Sequence, residues 1–138
     1  MEHAILKPLK LGSIALSCYH ERSRAGIPTG TDWLIGEAGS VRDGTQVRIG
    51  LRLAHGRIVD ARYEVFGCPA AIAAAAWAAE RLAGAAPAIV TNVYGLHIAE
   101  ALELPVEKTG VALVVEDAIC NALAAGGILV DRNSASGG

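Results

Sequence analysis

The chain has 138 residues, the length of one domain, which argues against a two-domain enzyme with separate cofactor and substrate modules. Hydrophobic residues make up 52% and charged residues 19%, and the mean hydropathy is +0.37, so a folded core is expected. The net charge of −2, without a block of like charge, favours neither nucleic acid nor a membrane as a partner.

The chain carries no pattern that predicts a targeting or membrane segment. The longest apolar run, Ala70 to Ala79, falls well short of the roughly 20 residues that a spanning helix needs. The first twelve residues lack the apolar stretch and cleavage site of a secretory signal, which predicts a cytoplasmic protein. We expect one domain over residues 1–130 and a flexible tail over residues 131–138.

The first predicted element is a short amphipathic helix. Leu11, Ile14, Ala15 and Cys18 fall at helical spacing, and the pattern ends near Arg22. From Ser23 to Gly44 the sequence is rich in Gly, Ser, Thr and Pro, which predicts a long loop.

The pattern then changes to a period of two residues, which predicts an antiparallel hairpin over about residues 45–66 with its turn around His55 and Gly56. One register places apolar residues opposite each other on one face and opposite charges on the other. Its apolar pairs are Leu53 with Val59, Leu51 with Ala61, Ile49 with Tyr63 and Val47 with Val65, and its ion pairs are Arg52 with Asp60 and Arg48 with Glu64.

Three more helices complete the prediction. A proline at the first helical position and a glycine past the end define an alanine-rich helix from about Pro69 to Ala83. A further helix is expected near residues 89–102, and a last one carries Val111, Val115 and Ile119 on its apolar face. The fold class is therefore α+β, with a small antiparallel sheet packed against helices on one face.

Cys68 is the cysteine with the clearest functional position, because it is the expected N-cap of the alanine-rich helix. Unpaired N–H groups and the helix dipole stabilise a thiolate there, which favours a nucleophile or a metal ligand, although a small buried turn residue is an equally good interpretation. Cys18 and Cys120 lie within helices and are expected to pack. The histidines show no metal-ligand spacing.

Several segments in chain order resemble the NifU/IscU family of iron–sulfur cluster scaffolds over nearly the whole sequence. The matching segments are Gly39-Ser40, Phe66-Gly67-Cys68, Ile98-Ala99-Glu100, Leu102-Glu103-Leu104-Pro105 with Glu107-Lys108, and Glu116-Asp117-Ala118. The resemblance implies an α+β fold like that of the NifU/IscU N-terminal domain.

The resemblance also implies where cluster ligands would lie. The family's first cysteine and labilising aspartate correspond to the stretch Asp43-Gly44-Thr45, its second cysteine to Cys68, and its histidine and third cysteine to Gly110 and Val111. One thiolate and one carboxylate do not complete the coordination shell of an iron ion. We therefore expect a degenerate scaffold with no cofactor and no metal in the isolated monomer, Cys68 being the metal ligand if there is one.

Three functions are compatible with this resemblance. The first is a non-enzymatic accessory protein that binds an apo-metalloenzyme or an assembly factor, with a nitrogenase component as the first candidate. The second is a carrier of sulfur or of a cluster on Cys68, with the remaining ligands from a second subunit or a partner. The third, an ordinary scaffold, is disfavoured by the missing ligands.

The alanine-rich helix suggests association. It offers no polar side, so we expect part of it to stay exposed and to bind a partner or a second copy, with Cys68 and the Asp43 loop at the contact. Glutamate at Ala74 or Ala78 should then abolish binding at one position and leave the monomer folded. If both substitutions unfold the domain, the helix is entirely core and the charged hairpin face becomes the candidate interface.

Overall fold

The computed structural model describes residues 11–87 and 94–128. Its elements, in chain order, are helix α1 (Ser13–His20), strands β1 (Leu34–Ser40), β2 (Thr45–Ala54) and β3 (Arg57–Phe66), helices α2 (Pro69–Leu82) and α3 (Gly95–Ala101), a 3₁₀ turn (Val106–Lys108) and helix α4 (Thr109–Ala125). The α+β fold class is confirmed.

The sheet is antiparallel, in the order β1-β2-β3, and most of the predicted hairpin register is correct. Its inner face is apolar and faces the helices. The buried sheet residues include Val47, Ile49, Leu51, Ala61 and Tyr63. On the outer face Arg48 forms the expected ion pair with Glu64, at 2.7 Å between Nη1 and Oε1.

The register prediction was wrong next to the turn, where Leu53 pairs with Ile58 and not with Val59. Ala54 pairs with Arg57, so His55 and Gly56, both at positive φ, form a two-residue turn that is tighter than the one expected. A bulge then restores the register, leaving Val59 exposed and Ile58 fully buried.

The predicted ion pair between Arg52 and Asp60 is also wrong, although the two residues lie opposite each other. Oδ1 of Asp60 accepts a hydrogen bond from Nη1 of Arg24 at 3.2 Å. The other carboxylate oxygen, Oδ2, lies 3.5 Å from Nε of Arg62. The Arg52 guanidinium instead lies over the ring of Trp33, 5.8 Å from its centroid. Arg24 and Trp33 both belong to the long loop before β1. The pattern of the hairpin alone does not predict that this loop contacts Asp60 and Arg52.

Strand β1 is the element that the sequence did not reveal, because residues 34–40 were predicted to be loop. Glycines interrupt the apolar alternation that marks a strand. The structure explains Gly36: a Cβ built there would lie 2.1 Å from the carbonyl oxygen of Ala118 and 2.1 Å from the amide nitrogen of Ala122. Helix α4 thus rests its backbone directly on β1, and glycine permits that approach.

Helix α2 is enclosed by the protein itself, so the expectation of an exposed apolar strip was wrong. Ala74 and Ala78 are both fully buried. Helix α2 packs on β3 and α4 on one side, and α1 covers its other side. Because alanine side chains are small, a helix can be surrounded in this way without large cavities.

The last helices agree with the prediction where they can be compared. The helix expected near residues 89–102 is present as α3, and the first part of that range lies outside the described residues, as does the predicted tail. Helix α4 buries Val115 and Ile119 as expected. None of the helices described is long and apolar enough to cross a membrane.

Replacing Gly36 with alanine tests the close contact between β1 and α4. The new methyl group meets backbone atoms that cannot rotate away, so we expect a loss of about 3 kcal/mol or more in the free energy of unfolding. The control is Gly110→Ala, at a helical position with open space around it, where we expect a gain of up to about 1 kcal/mol. Equal stability of both variants in urea titrations would contradict this packing.

Replacing Ala74 or Ala78 with glutamate should unfold the domain in both cases, because an uncompensated buried charge costs about 3–5 kcal/mol. Circular dichroism at neutral pH measures the loss. Glu80→Ala, at an exposed position near the carboxyl-terminal end of the same helix, should leave the fold intact. If the Ala74→Glu protein is folded, the expectation that part of this helix is exposed and binds a partner would stand again.

Candidate functional site

Cys68 is the N-cap of α2, as the sequence predicted. Its carbonyl oxygen accepts from the N–H groups of Ala71 and Ile72, at 2.9 and 3.2 Å, and Pro69 occupies the first turn. Its extended backbone turns the chain from β3 into the helix, and its side chain is half-buried. The thiol therefore lies where the chain leaves the enclosed core.

The turn between β1 and β2 lies beside this position. A Cβ built at Gly67 would be 3.5 Å from the carbonyl oxygen of Gly44 and 3.6 Å from Cγ2 of Thr45. The exposed Asp43 accepts a hydrogen bond from the Ser40 hydroxyl at 2.9 Å, and its own N–H donates to that hydroxyl oxygen. The structure thus brings the Asp43–Thr45 turn next to Gly67-Cys68.

Lys108 is a site residue that sequence reasoning did not assign. Its ammonium group donates to the Cys68 sulfur, with 3.7 Å between Nζ and Sγ. The signal was present, since Lys108 belongs to the Leu104–Lys108 stretch that resembles the family. A cation beside sulfur stabilises negative charge on it, which is useful for a nucleophile and for a metal-bound thiolate.

Gly110 and Val111 lie in the first turn of α4, directly after Lys108. Gly110 is exposed and has open space where a side chain would stand, and Val111 is half-buried. Neither residue supplies a donor atom from its side chain. Within residues 11–87 and 94–128, no group of three or more histidine, cysteine or acidic residues could hold a metal ion.

The other cysteines have different surroundings. Cys18 is half-buried in a small cleft between α1 and α2 with Ser17, Glu21 and Glu80. Burial, and then the charge of Glu80, raise the pKa of the Cys18 thiol. Cys120 is half-buried within α4.

Three large apolar side chains are exposed on the segments that form this end of the molecule. Val41 precedes Asp43 by two residues, Phe66 precedes Cys68 by two, and Val106 precedes Lys108 by two. Their exposed fractions are 54%, 53% and 88%. Exposed apolar side chains that lie close together can form a protein-binding surface.

The fold and the site define an α+β domain with a half-buried cysteine, at the start of a helix, at one end of its sheet. The family model described as "NifU-like N terminal domain" matches residues 13–126. The chain belongs to this family. This confirms the resemblance stated from the sequence.

Sequence relatives match the chain over about half of its length. Iron-sulfur cluster assembly protein 1 of Arabidopsis thaliana is 42% identical over 64 residues, which are 46% of this chain and 38% of that protein. The Drosophila melanogaster iron-sulfur cluster assembly enzyme IscU is 39% identical over 70 residues, 51% of this chain and 46% of the relative. The chain thus covers less than half of these relatives' length.

Solved structures show the same fold at low sequence identity. The N-terminal part of a nitrogen-fixing NifU-like protein from Brucella abortus superposes with a TM-score of 0.64 at 15% identity, covering 83% of this chain and 92% of that one. A putative iron–sulfur cluster assembly scaffold protein for the SUF system from Fervidobacterium islandicum gives a TM-score of 0.60 at 14% identity, covering 78% and 92%.

Family membership corrects the prediction that no cofactor is expected. The relatives are named for iron–sulfur cluster assembly, and the chain shares their domain family. The prediction was wrong because it counted side-chain donors within one chain and took an incomplete set for the absence of a cluster.

Alkylation measures the difference between the thiols. With limiting iodoacetamide at neutral pH, we expect Cys68 to be labelled first and Cys18 slowly, because the raised pKa of Cys18 leaves less thiolate. Peptide mass spectrometry gives the rate at each site. Glu80→Gln should lower the pKa of Cys18 and speed its labelling without affecting Cys68. Equal rates at all three cysteines, or protection of Cys68 alone, would mean that Cys68 only packs.

Proposed function

We propose that this protein takes part in iron–sulfur cluster assembly by holding a cluster as cargo, with Cys68 as the ligand from this chain. The remaining ligands come from a partner protein or a second copy. Asp43 is the candidate for an additional oxygen ligand. The role is non-enzymatic, since the protein binds and delivers, and we expect it in the cytoplasm.

The contact between Cys68 and Lys108 is the observation that carries this proposal. The 3.7 Å hydrogen bond from the ammonium group places a cation beside the sulfur at the start of α2. Hydrogen bonds to ligand sulfur also tune iron–sulfur centres. A purely structural cysteine at this turn has no need of a lysine beside it.

External ligands are supported by the open space at Gly110, two residues after Lys108. Gly110 is open and exposed, so the position that resembles the family's histidine leaves room for another chain's side chain. The exposed Val41, Phe66 and Val106 give that chain an apolar surface to contact. This chain supplies few cluster ligands but has an exposed apolar surface. Both features agree with a cluster site that becomes complete when another chain binds.

A second candidate is an accessory protein that docks on an apo-metalloenzyme without holding the cluster itself. The side chains of Gly110 and Val111, which offer no donor atoms, favour it. A nitrogenase component is the first partner to test. The two candidates differ in whether Cys68 is needed for the iron-bound complex.

Anaerobic reconstitution with ferrous iron and sulfide tests the cargo role. The chain is reconstituted alone and with an apo-nitrogenase component; after gel filtration, we expect iron and sulfide to travel with the wild-type chain and with Cys120→Ala in at least one of the two samples, and to be lost from Cys68→Ala in both. We expect Lys108→Gln to retain less iron than Lys108→Arg, because the arginine keeps a cation at the sulfur. Gel filtration also reports whether loaded protein is a monomer or a dimer.

The opposite pattern would favour docking alone. If Cys68→Ala retains as much iron as wild type, Cys68 is not a ligand. If wild type, Cys120→Ala and Cys68→Ala are all colourless and all bind the apo-nitrogenase component equally, the accessory role is supported.

A further inference from the structure

One edge of the sheet is only partly covered. Residues 24–26 run parallel to β3 and pair with it at Tyr63. The Tyr63 N–H donates to the carbonyl oxygen of Arg24 at 3.0 Å, and the Gly26 N–H donates to the carbonyl oxygen of Tyr63 at 2.8 Å. The outer edge of β3 is therefore already paired, over two hydrogen bonds, with a parallel segment of the same chain.

The pairing ends at Ile27 for local reasons. The Ile27 N–H turns away and donates to Oε2 of Glu64 at 3.0 Å. The Ile27 side chain crosses the outer face to the glycine at position 50, where an added Cβ would lie 2.9 Å from it. Pro28 follows, and proline has no N–H to donate to the next carbonyl of β3.

Val65 is the next residue along this edge. Backbone groups alternate in direction along a strand, so its N–H and C=O point outward as those of Tyr63 do. Within the described parts of the chain, no hydrogen bond is made to this outward pair. An open edge of this kind is a template for another strand. It lies three residues before Cys68.

A cleft lies beside these groups. It has a volume of about 270 Å³ and is lined by Arg22, Gly26, Tyr63, Glu64, Val65 and Ile72, among others. Ile72 is one helical turn from Cys68. Glu64 is already bonded to Arg48 and to the Ile27 N–H, and Arg22 donates to the carbonyl oxygen of Tyr19 and lies over its ring.

We propose that this edge binds an extended segment of a partner protein, which continues the line of residues 24–26 and adds to β3 at Val65. This rests on the proposed function, since it supplies the route by which a partner's ligand reaches Cys68. A residue opposite Val65 points its side chain towards Ile72 and is apolar. The segment begins at this residue, because Ala25 and Gly26 already occupy the edge beside Tyr63.

The direction of the added strand follows from the existing pairing. A segment parallel to β3 runs from Tyr63 towards Gly67, so its carboxyl-terminal end arrives at the thiol. A residue three positions after the apolar one lies level with Cys68, because parallel strands rise by the same amount per residue. The partner's metal ligand or reactive group belongs at that position.

Disulfide tethering tests this arrangement. The probe is acetyl-Leu-Thr-Ser-Cys-amide, supplied as its mixed disulfide with 2-mercaptoethanol; its acetyl carbonyl accepts from the Val65 N–H, and the N–H of the threonine after leucine donates to the Val65 carbonyl oxygen. The Cys68 thiolate attacks the peptide sulfur and mercaptoethanol leaves. Three control peptides are the same sequence N-methylated at the threonine after leucine, the sequence with aspartate for leucine, and the sequence reversed so that cysteine comes first.

We expect the probe to be captured on Cys68 about tenfold more than each control at equilibrium, a difference of about 1.4 kcal/mol, as measured by intact mass. Ile72→Ala should weaken capture of the probe, because it removes the apolar side chain that the leucine contacts, and Arg57→Gln, at the far end of β3, should not. Equal capture of the probe and its N-methylated form would overturn the proposal.

Hydrogen exchange of the full-length chain provides a second measurement that does not need Cys68. In the free protein, we expect the Tyr63 amide to be protected and the Val65 amide to exchange fast. A peptide with serine in place of cysteine should protect Val65, and its N-methylated form should not. If the Val65 amide is already protected in the monomer, the chain's own residues cover the edge. If its protection rises with protein concentration, a second copy covers the edge. Either result overturns the proposal.

The two proposals can fail separately. If Cys68→Ala retains iron but the serine peptide still protects Val65, the cargo role fails and the edge site stands. If Cys68→Ala loses iron and no peptide protects Val65, the cargo role stands and the partner approaches by another route.

Discussion

The enclosure of α2 is the constraint on which the rest of the structure depends. A three-stranded sheet is narrow, and a helix of mostly alanine contributes little apolar area per residue, so that area must be buried on every side to stabilise the fold. Helix α1, strand β3 and helix α4 close around it. The same demand for close approach explains Gly36, where the backbone of α4 rests directly on β1.

This enclosure determines where chemistry can occur. Helix α2 is buried from Ala73 to Ala79, and its N-cap Cys68 lies outside this stretch, so Cys68 is half-buried while these alanines are not accessible. The segments that meet there come from distant parts of the sequence: the turn after β1, the end of β3, and the stretch before α4. The exposed Val41, Phe66 and Val106 lie on these segments, each two residues before Asp43, Cys68 or Lys108.

The hairpin shows how charge and turn geometry share the control of register. The cross-strand pair of Arg48 and Glu64 was predictable because alternation places both residues on one face. The partners of Asp60 were not predictable, because they include Arg24. Arg24 lies in a loop 36 residues away, and no local sequence pattern describes the path of that loop. That loop pairs with β3 at Tyr63 and leaves it before Val65, and so the same segment sets both the charge pairs of the outer face and the open edge.

The sequence by itself determined the α+β class, the hairpin, the position of Cys68 at a helix start and the family, because periodicity, capping and turn chemistry are local properties and the family motifs are continuous in the chain. Tertiary structure alone decided that residues 34–40 form a strand, since the glycines that hide it are required by a helix more than eighty residues later. It also decided that α2 is core on all sides and that Lys108 contacts Cys68. These features depend on which surfaces meet in space, and a linear pattern carries no information about distances between segments that are far apart in the chain.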